Sequence, residues 1–164
     1  MKFTGKVWKY GDDINTDVLF AGKYTYTVTN PKEMAAHAME DLDPRFAKEV
    51  AKGDIVVAGK NFGCGSSREQ AVICLREAGV SCVVAGSFAR IYFRNAVNSG
   101  LPPVQCPDAI ANIENGETVE VDLDNGILTC KAGSFRFPAF DGEVQSILSA
   151  GGLIPYTRRF LGLE

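Results

Sequence analysis

A glycine-rich segment separates a predicted strand from a predicted helix; it is Asn61-Phe62-Gly63-Cys64-Gly65-Ser66-Ser67-Arg68-Glu69. The strand, residues 54–58, is almost continuously apolar, and the helix is expected to run from Ser66 to about Ala78. Glycines allow a tight turn close to a ligand, and the first N–H groups of a helix favour an anion. Arg68, in the predicted first turn, is unfavourable for helix stability, because cations stabilise the opposite helix end. The segment therefore predicts a carboxylate or phosphate site.

On the C-terminal side the alternation of strand and helix continues, with a strand at 82–85, a helix at 88–98 and a strand at 104–106. Apolar runs that alternate with helices are typical of a parallel sheet covered on both faces. A β-meander follows at 117–123, 126–131 and 134–137, with Asp124-Asn125-Gly126 as a hairpin signal. A last helix is predicted from Gly142 to Gly151-Gly152, followed by a tail at 155–164.

On the N-terminal side a strand is predicted from Lys2 to Tyr10, followed by a long ordered loop at 12–29. Two helices come next, one capped by Asn30 and ending near Glu40, the other running from 43 to 50. The chain, residues 1–164, is thus predicted to be a single α/β domain. It would have a mostly parallel sheet, flanking helices and a C-terminal antiparallel β extension.

Composition excludes several classes of protein. Seventeen basic and twenty acidic residues give a net charge of −3, so we expect no nucleic-acid partner, which would require a basic face. The apolar runs are too short to span a bilayer, and we find no export signal at the N-terminus. We therefore expect a cytoplasmic protein that does not associate with a membrane. Five cysteines without a CxxC pair predict neither a disulfide framework nor a metal site. The sequence has one histidine, His37, which would have to serve as the only histidine ligand of a zinc enzyme or as the base of a Ser–His–Asp hydrolase. We therefore expect neither kind of enzyme.

Common motifs do not account for the glycine-rich segment. It lacks the third glycine of a dinucleotide fingerprint, the GKS or GKT of a P-loop and the GxSxG of a nucleophile elbow. Two interpretations of the residues stay open: Ser66 is a simple helix cap, or the segment binds an anion. In the second case the chain is either an enzyme or a non-catalytic anion-binding α/β module.

The segment, with Gly65-Ser66-Ser67-Arg68-Glu69 at its centre, resembles the swivel domain of the aconitase superfamily. Further similarity is found at Asn15-Thr16-Asp17, at Asp41-Leu42-Asp43-Pro44 and at 85–95, whose sequence is AGSFARIYFRN. The resemblance implies a swivelling β/β/α-type domain. A free-standing chain of this length resembles the small subunits of the superfamily's two-chain hydro-lyases.

In such an enzyme a [4Fe–4S] cluster is held by three cysteines of the large subunit, which the resemblance implies as the partner of this chain. It further implies that Ser66 is the base that removes the proton alpha to a carboxylate, with Gly65, Ser67 and Arg68 binding a small di- or tricarboxylate. Asp17 matches an aspartate near the superfamily's active site. Since a serine hydroxyl is a very weak acid, the base needs help from peptide N–H groups, a helix dipole and the Arg68 charge.

Substrate specificity is expected from a second segment, Tyr24-Thr25-Tyr26-Thr27. In the superfamily this loop contacts the substituent that distinguishes substrates, and homoaconitase-type members have an arginine where we align Tyr26. A tyrosine suits an isopropyl or methyl group better than a third carboxylate. We therefore expect a 2-substituted malate as substrate, most of all in the interconversion of 2-isopropylmalate and 3-isopropylmalate in leucine biosynthesis. A dimethylmalate, a methylmalate and a homoaconitase-type substrate stay open, since Lys23 lies nearby.

Three other features suggest weaker roles. The single histidine is expected at a surface or interface, and Cys64 lies in the glycine-rich segment without a further sign of reactivity. The tail mixes aromatic and basic residues, which predicts a docking or oligomer segment. Self-association of the isolated chain stays open.

Overall fold

The computed structural model describes residues 1–163 and contains one seven-stranded sheet. The strands are β1 Lys2–Lys9, β2 Ile55–Ala58, β3 Cys82–Ala85, β4 Pro103–Gln105, β5 Thr118–Asp122, β6 Ile127–Cys130 and β7 Gly133–Arg136. Their order across the sheet is β4-β3-β2-β1-β5-β6-β7. Strands β1 to β4 are parallel, and β5 to β7 continue the sheet antiparallel beyond β1. The predicted fold class is confirmed.

The helices are α1 Thr16–Leu19, α2 Pro31–Ala36, α3 Phe46–Glu49, α4 Gln70–Glu77, α5 Arg90–Asn98, α6 Pro107–Ile110, α7 Gly142–Ala150 and α8 Leu153–Phe160, with a 3₁₀ turn at Gly22–Tyr24. Among residues 1–163, no helix has the length and apolar character needed to cross a bilayer.

The sheet separates two hydrophobic clusters. Successive residues of a strand point to opposite faces, so Val56 belongs to one cluster and its neighbours Ile55 and Val57 belong to the other. Helix α4 packs in the first cluster, and Leu148 of α7 packs in the second. Both faces of the parallel strands are therefore covered, which explains why β2 is completely buried and apolar.

Several predicted helix boundaries are wrong. Asn30 caps α2 as expected, accepting a 2.9 Å hydrogen bond from the Lys32 amide, but the helix ends at Ala36. Met39 has a positive φ of 56°, which an α-helix cannot continue through. The predicted helix from 43 to 50 is shorter, at Phe46–Glu49.

Two regions expected to be irregular contain helices. The predicted loop at 12–29 includes α1, capped by the side chain of Asn15, and the 3₁₀ turn. The predicted tail at 155–164 begins inside helix α8, which has exposed apolar residues and two arginines in its last turn. Pro155 lies in the first turn of α8, the one part of a helix in which a proline is tolerated, so it does not prevent the helix.

Candidate active site

The glycine-rich segment, residues 61–69, leaves the carboxyl end of β2 and lies beside the start of α5, which follows β3. The carboxyl ends of parallel strands are the usual place for ligand sites in α/β sheets. Here they border an open cavity of about 320 Å³. The cavity is lined by Thr16, Gly63, Gly65, Ser66, Ser67, Arg68, Ala89, Arg90, Ile91, Tyr92 and Asn95. The four residues predicted from the segment are thus brought together at one cavity.

The helix after this segment begins at Gln70, so the prediction that it begins at Ser66 is wrong. The physical reason is a hydrogen bond from Thr16, fifty residues earlier in the chain. In a helix starting at Ser66, the Ser66 carbonyl would accept from the amide four residues later. That carbonyl instead accepts a 2.9 Å hydrogen bond from the hydroxyl of Thr16. Ser66 is therefore not a helix cap, and Arg68 is not in a first helical turn.

Two glycines shape the segment. Gly63 has a φ of 78°, and a Cβ added there would lie 2.1 Å from the ring of Tyr92. Gly65 has a φ of 95° and lies beside Thr16. Both positions favour glycine, because other residues are strained in this part of backbone space. The amide of Gly63 also donates a 2.7 Å bond to the carbonyl of Ile14, which fixes the segment against the start of α1.

Ser66 is exposed at the cavity. Within residues 1–163 its hydroxyl has no hydrogen-bond partner, and the amides of Ser66 and Ser67 donate to no protein acceptor. The Ser67 hydroxyl is held by a long 3.4 Å contact from the Asn95 amide group. The arrangement leaves one hydroxyl and two N–H groups of exposed residues without a partner in the described chain, which suits a site for an anionic ligand.

Arg68 is held in place by two residues of the N-terminal third of the chain. Its Nη1 donates a 3.1 Å hydrogen bond to the hydroxyl of Thr25, and its Nη2 donates to the carboxylate of Asp17. The guanidinium side chain is 11% exposed, and its Nε is buried with no partner among the described residues. Asp17 and Thr25 thus lie at the site without lining the cavity, and both act on it through Arg68.

The two tyrosines of the second segment do not line the cavity. The hydroxyl of Tyr24 donates to Glu40 at 3.0 Å, and its ring stacks on His37 with centroids 3.9 Å apart. His37 lies 2.7 Å from the same carboxylate, and this hydrogen bond, followed by that from Tyr24, lowers the pKa of Glu40. Tyr26 is 93% exposed. Substrate contact by either tyrosine stays a prediction, and Tyr26 has the freer side chain.

Six residues of the cavity were missed in the sequence: Thr16, Ala89, Arg90, Ile91, Tyr92 and Asn95. All lie in segments that carry the resemblance to the swivel domain, but none has a chemical signature of its own in the sequence. Arg90 offered one signal. It occupies the first position of α5, where a cation opposes the helix dipole.

The described part of the chain contains no group of three or more His, Cys, Asp or Glu side chains suited to a metal ion. The cysteines are free, four of them are buried, and Cys64 is half-buried. Burial raises the pKa of Cys74 and of Cys82 to about 12. Such thiols stay protonated at neutral pH, whereas a metal ligand must be a thiolate. The donor set of these buried thiols does not fit a cluster.

Comparison with known proteins agrees with the geometry. The family of the aconitase C-terminal domain matches residues 9–109, which include the whole glycine-rich segment. The chain is 51% identical over 160 residues to the 3-isopropylmalate dehydratase small subunit of Heliobacterium modesticaldum, with 96% of both chains covered. It is also 51% identical over 158 residues to the 2,3-dimethylmalate dehydratase small subunit of Eubacterium barkeri, covering 95% of this chain and 96% of that one.

A solved structure, that of 3-isopropylmalate dehydratase from Methanocaldococcus jannaschii, matches with a TM-score of 0.92 and 41% identity. It covers 99% of this chain, and the match includes 97% of that chain. The resemblance to the aconitase swivel domain is confirmed. The chain therefore belongs to the aconitase C-terminal domain family and, within it, to the small subunits of its dehydratases.

Proposed function

We propose that this chain is the small subunit of a hydro-lyase that isomerises 3-isopropylmalate and 2-isopropylmalate in leucine biosynthesis. The [4Fe–4S] cluster of the enzyme belongs to a separate large subunit. The observation that carries the proposal is the Ser66 hydroxyl, exposed and without a partner in residues 1–163, on the same cavity as the Arg68 guanidinium. Full-length similarity to a 3-isopropylmalate dehydratase small subunit supports the substrate class.

Ser66 is proposed to take the proton alpha to a substrate carboxylate. The Ser66 oxygen, as the alkoxide, takes up the proton while the C–H electron pair forms the double bond and the substrate hydroxyl leaves. In the reverse direction the same oxygen returns the proton as the hydroxyl adds back. A serine needs a positive environment to act as a base. That environment comes from Arg68 and the free segment amides and not from a helix end, because α4 begins four residues later and a helix dipole acts only within its first turn.

Arg68 is proposed to bind a substrate carboxylate and to stabilise the negative charge that develops as the proton leaves. Asp17 and Thr25 hold two nitrogens of the guanidinium, while the buried Nε has no partner in the described chain. A guanidinium fixed in this way needs little reorganisation when the substrate binds. When present, the large subunit's cluster supplies Lewis-acid chemistry for loss of the substrate hydroxyl.

A dimethylmalate is the second candidate substrate. It is favoured by the equal similarity to the Eubacterium barkeri protein, whose name specifies 2,3-dimethylmalate. Tyr26 favours it too, since a large ring at the substituent leaves less room than an aliphatic side chain would.

A non-catalytic anion-binding module is the candidate from another class. We also propose a cytoplasmic location, because free, mostly buried thiols suit a reducing compartment.

The proposal is tested by mixing the purified chain with the cluster-loaded large subunit of its own organism. Absorbance of the unsaturated acid is then followed with 3-isopropylmalate, 2,3-dimethylmalate, methylmalate and homocitrate as substrates. Turnover only when both chains are present, and highest with 3-isopropylmalate, is the expected result. Highest turnover with dimethylmalate would select the second candidate. Absence of turnover with every substrate, together with calorimetric binding of a malate by the isolated chain, would favour the module.

A further inference from the structure

We propose that the first turns of α5 bind an acidic surface of the cluster-carrying large subunit. The surface consists of Arg90, Ile91 and Arg94, and we name it the arginine ridge. This inference rests on the proposed function and deepens it, because it says where the partner subunit docks and which chemistry recognises it.

The first observation is electrostatic. Arg90 and Arg94 are exposed and form no ion pair or hydrogen bond within residues 1–163. They are four residues apart on one helix, so their side chains are neighbours and repel each other. Arg90 also occupies the first position of α5, whose first turn contains no acidic residue. A cation there opposes the helix dipole. Both arginines therefore cost the isolated chain stability, and an external acidic group would remove that cost.

The second observation is position. Arg90 and Ile91 line the cavity that contains Ser66, and this cavity is open to solvent in the isolated chain. A partner that brings a metal centre to the Ser66 hydroxyl has to cover the rim of the cavity. Ile91 is 52% exposed, which adds an apolar contact beside the two charges. The ridge is therefore continuous with the face on which the large subunit completes the site.

The third observation indicates a protein partner and not a small anion. On the far side of the ridge lies a second cavity of about 430 Å³, which Arg90 and Arg94 also line. The remaining lining is mainly apolar and includes Phe93, Val97 and Val144. Protein interfaces combine an apolar anchor in a pocket with charged groups at its edge. The alkylmalate substrate is proposed to bind at the Ser66 cavity, and an inorganic anion would leave the apolar lining of the second cavity uncovered.

The experiment measures assembly with the large subunit by calorimetry or biolayer interferometry for four chains: wild type, Arg90→Glu, Arg90→Glu/Arg94→Glu and Arg136→Glu. The last is the matched control, since Arg136 is an exposed arginine on β7, at the opposite edge of the sheet from β4. We expect the double variant to weaken assembly by about tenfold or more, and its Kd to depend less on salt than that of the wild type. The control should bind like the wild type.

A second readout separates docking from a folding defect. Arg90→Glu places an acid at the helix start and four residues before an arginine, and both changes favour the helix. The melting temperature of the isolated variant should rise by about 1–3 °C while its assembly weakens. A damaged fold would lower both.

The inference is wrong if the wild-type chains assemble and turn over but the double variant binds the large subunit as tightly as Arg136→Glu does. It is also wrong if the double variant raises only the KM for substrate, since the ridge would then be a substrate contact. If wild-type chains do not assemble at all, the proposed function itself fails, and the inference fails with it.

Discussion

Arg68 and Thr25 lie 43 residues apart in the sequence, and a 3.1 Å hydrogen bond joins the Nη1 of the arginine to the threonine hydroxyl. Asp17 binds the other terminal nitrogen of the same guanidinium. The segment expected to recognise the substrate's substituent is therefore connected directly to the segment that carries the proposed base. A substitution in the first segment should therefore alter the position of Arg68 and, through it, catalysis at the second segment.

Thr25→Val tests that connection, because valine keeps the shape of threonine and removes the hydroxyl. A hydrogen bond from a charged donor contributes about 1.5–3 kcal/mol, so kcat/KM of the assembled enzyme should fall about tenfold. Thr27→Val is the matched control, since the exposed Thr27 hydroxyl has only a 3.4 Å contact with the Lys23 carbonyl. Equal effects of the two substitutions would show that Thr25 does not position Arg68.

Ser66→Ala should reduce kcat by about 10³-fold, which is within the usual contribution of a general base. Assembly and stability should be unchanged, because the hydroxyl is exposed and bonds to nothing in residues 1–163. Steady-state absorbance assays of the reconstituted enzyme measure the effect. Ser67→Ala is the comparison, and it should affect KM more than kcat. Turnover by Ser66→Ala within about tenfold of wild type would exclude the serine as the base.

Tyr24→Phe should lower the free energy of unfolding by about 1 kcal/mol, because the hydroxyl that donates to Glu40 at 3.0 Å is lost. The ring stacked on His37 is kept, so kcat/KM should change little. Urea unfolding of the isolated chain and kinetics of the complex are the two measurements. A large rise in KM with unchanged stability would instead mean that the hydroxyl contacts the substrate.

Tyr26→Arg should shift the preference of the assembled enzyme from alkylmalates toward tricarboxylates. The side chain is 93% exposed, so the fold should tolerate the change. The new cation would pair with an additional carboxylate, and the ratio of kcat/KM for homocitrate to that for 3-isopropylmalate should rise about tenfold. Tyr26→Phe, which adds no charge, should leave the ratio unaltered. An unchanged ratio in the arginine variant would show that this residue does not face the substituent.

Stability should fall in acid partly through Asp122. The Asn125 side-chain amide, 2.8 Å away, and then its backbone N–H and Lys2 hold the pKa of Asp122 at about 2, below its ordinary value of 3.8. A carboxyl with a lowered pKa in the folded state stabilises the protein above its unfolded pKa and loses that contribution as the pH falls through the folded value. The loss should therefore occur between about pH 4 and about pH 2.

Asp122→Asn removes this ionisation, so its unfolding free energy should decrease less than that of the wild type over the same range. Urea midpoints recorded across the range measure the difference. Asp108→Asn, at an exposed aspartate of α6, is the control and should keep the wild-type loss. The assignment fails if both variants lose stability in parallel with the wild type.

Local patterns in the chain were sufficient for the sheet and for the place of the site. The buried strands β2 and β3 are continuous apolar runs, and a covered parallel strand needs no other signal. Gly63 and Gly65 adopt positive φ angles, a conformation that favours glycine, so the two glycines in the sequence indicated a tight turn at this place. The same residues, with the adjacent serines and arginine, were enough to indicate the family.

Long-range contacts decided what local patterns left open. The start of α4 depends on Thr16, which lies fifty residues before Ser66. The Thr16 hydroxyl donates to the Ser66 carbonyl, which in a longer helix would accept from a helical amide. The partners of Arg68 come from another segment, and the helix-dipole argument first applied to Arg68 holds instead for Arg90. Backbone propensity acts over a few neighbouring residues, whereas these bonds form only after the chain has brought distant residues together.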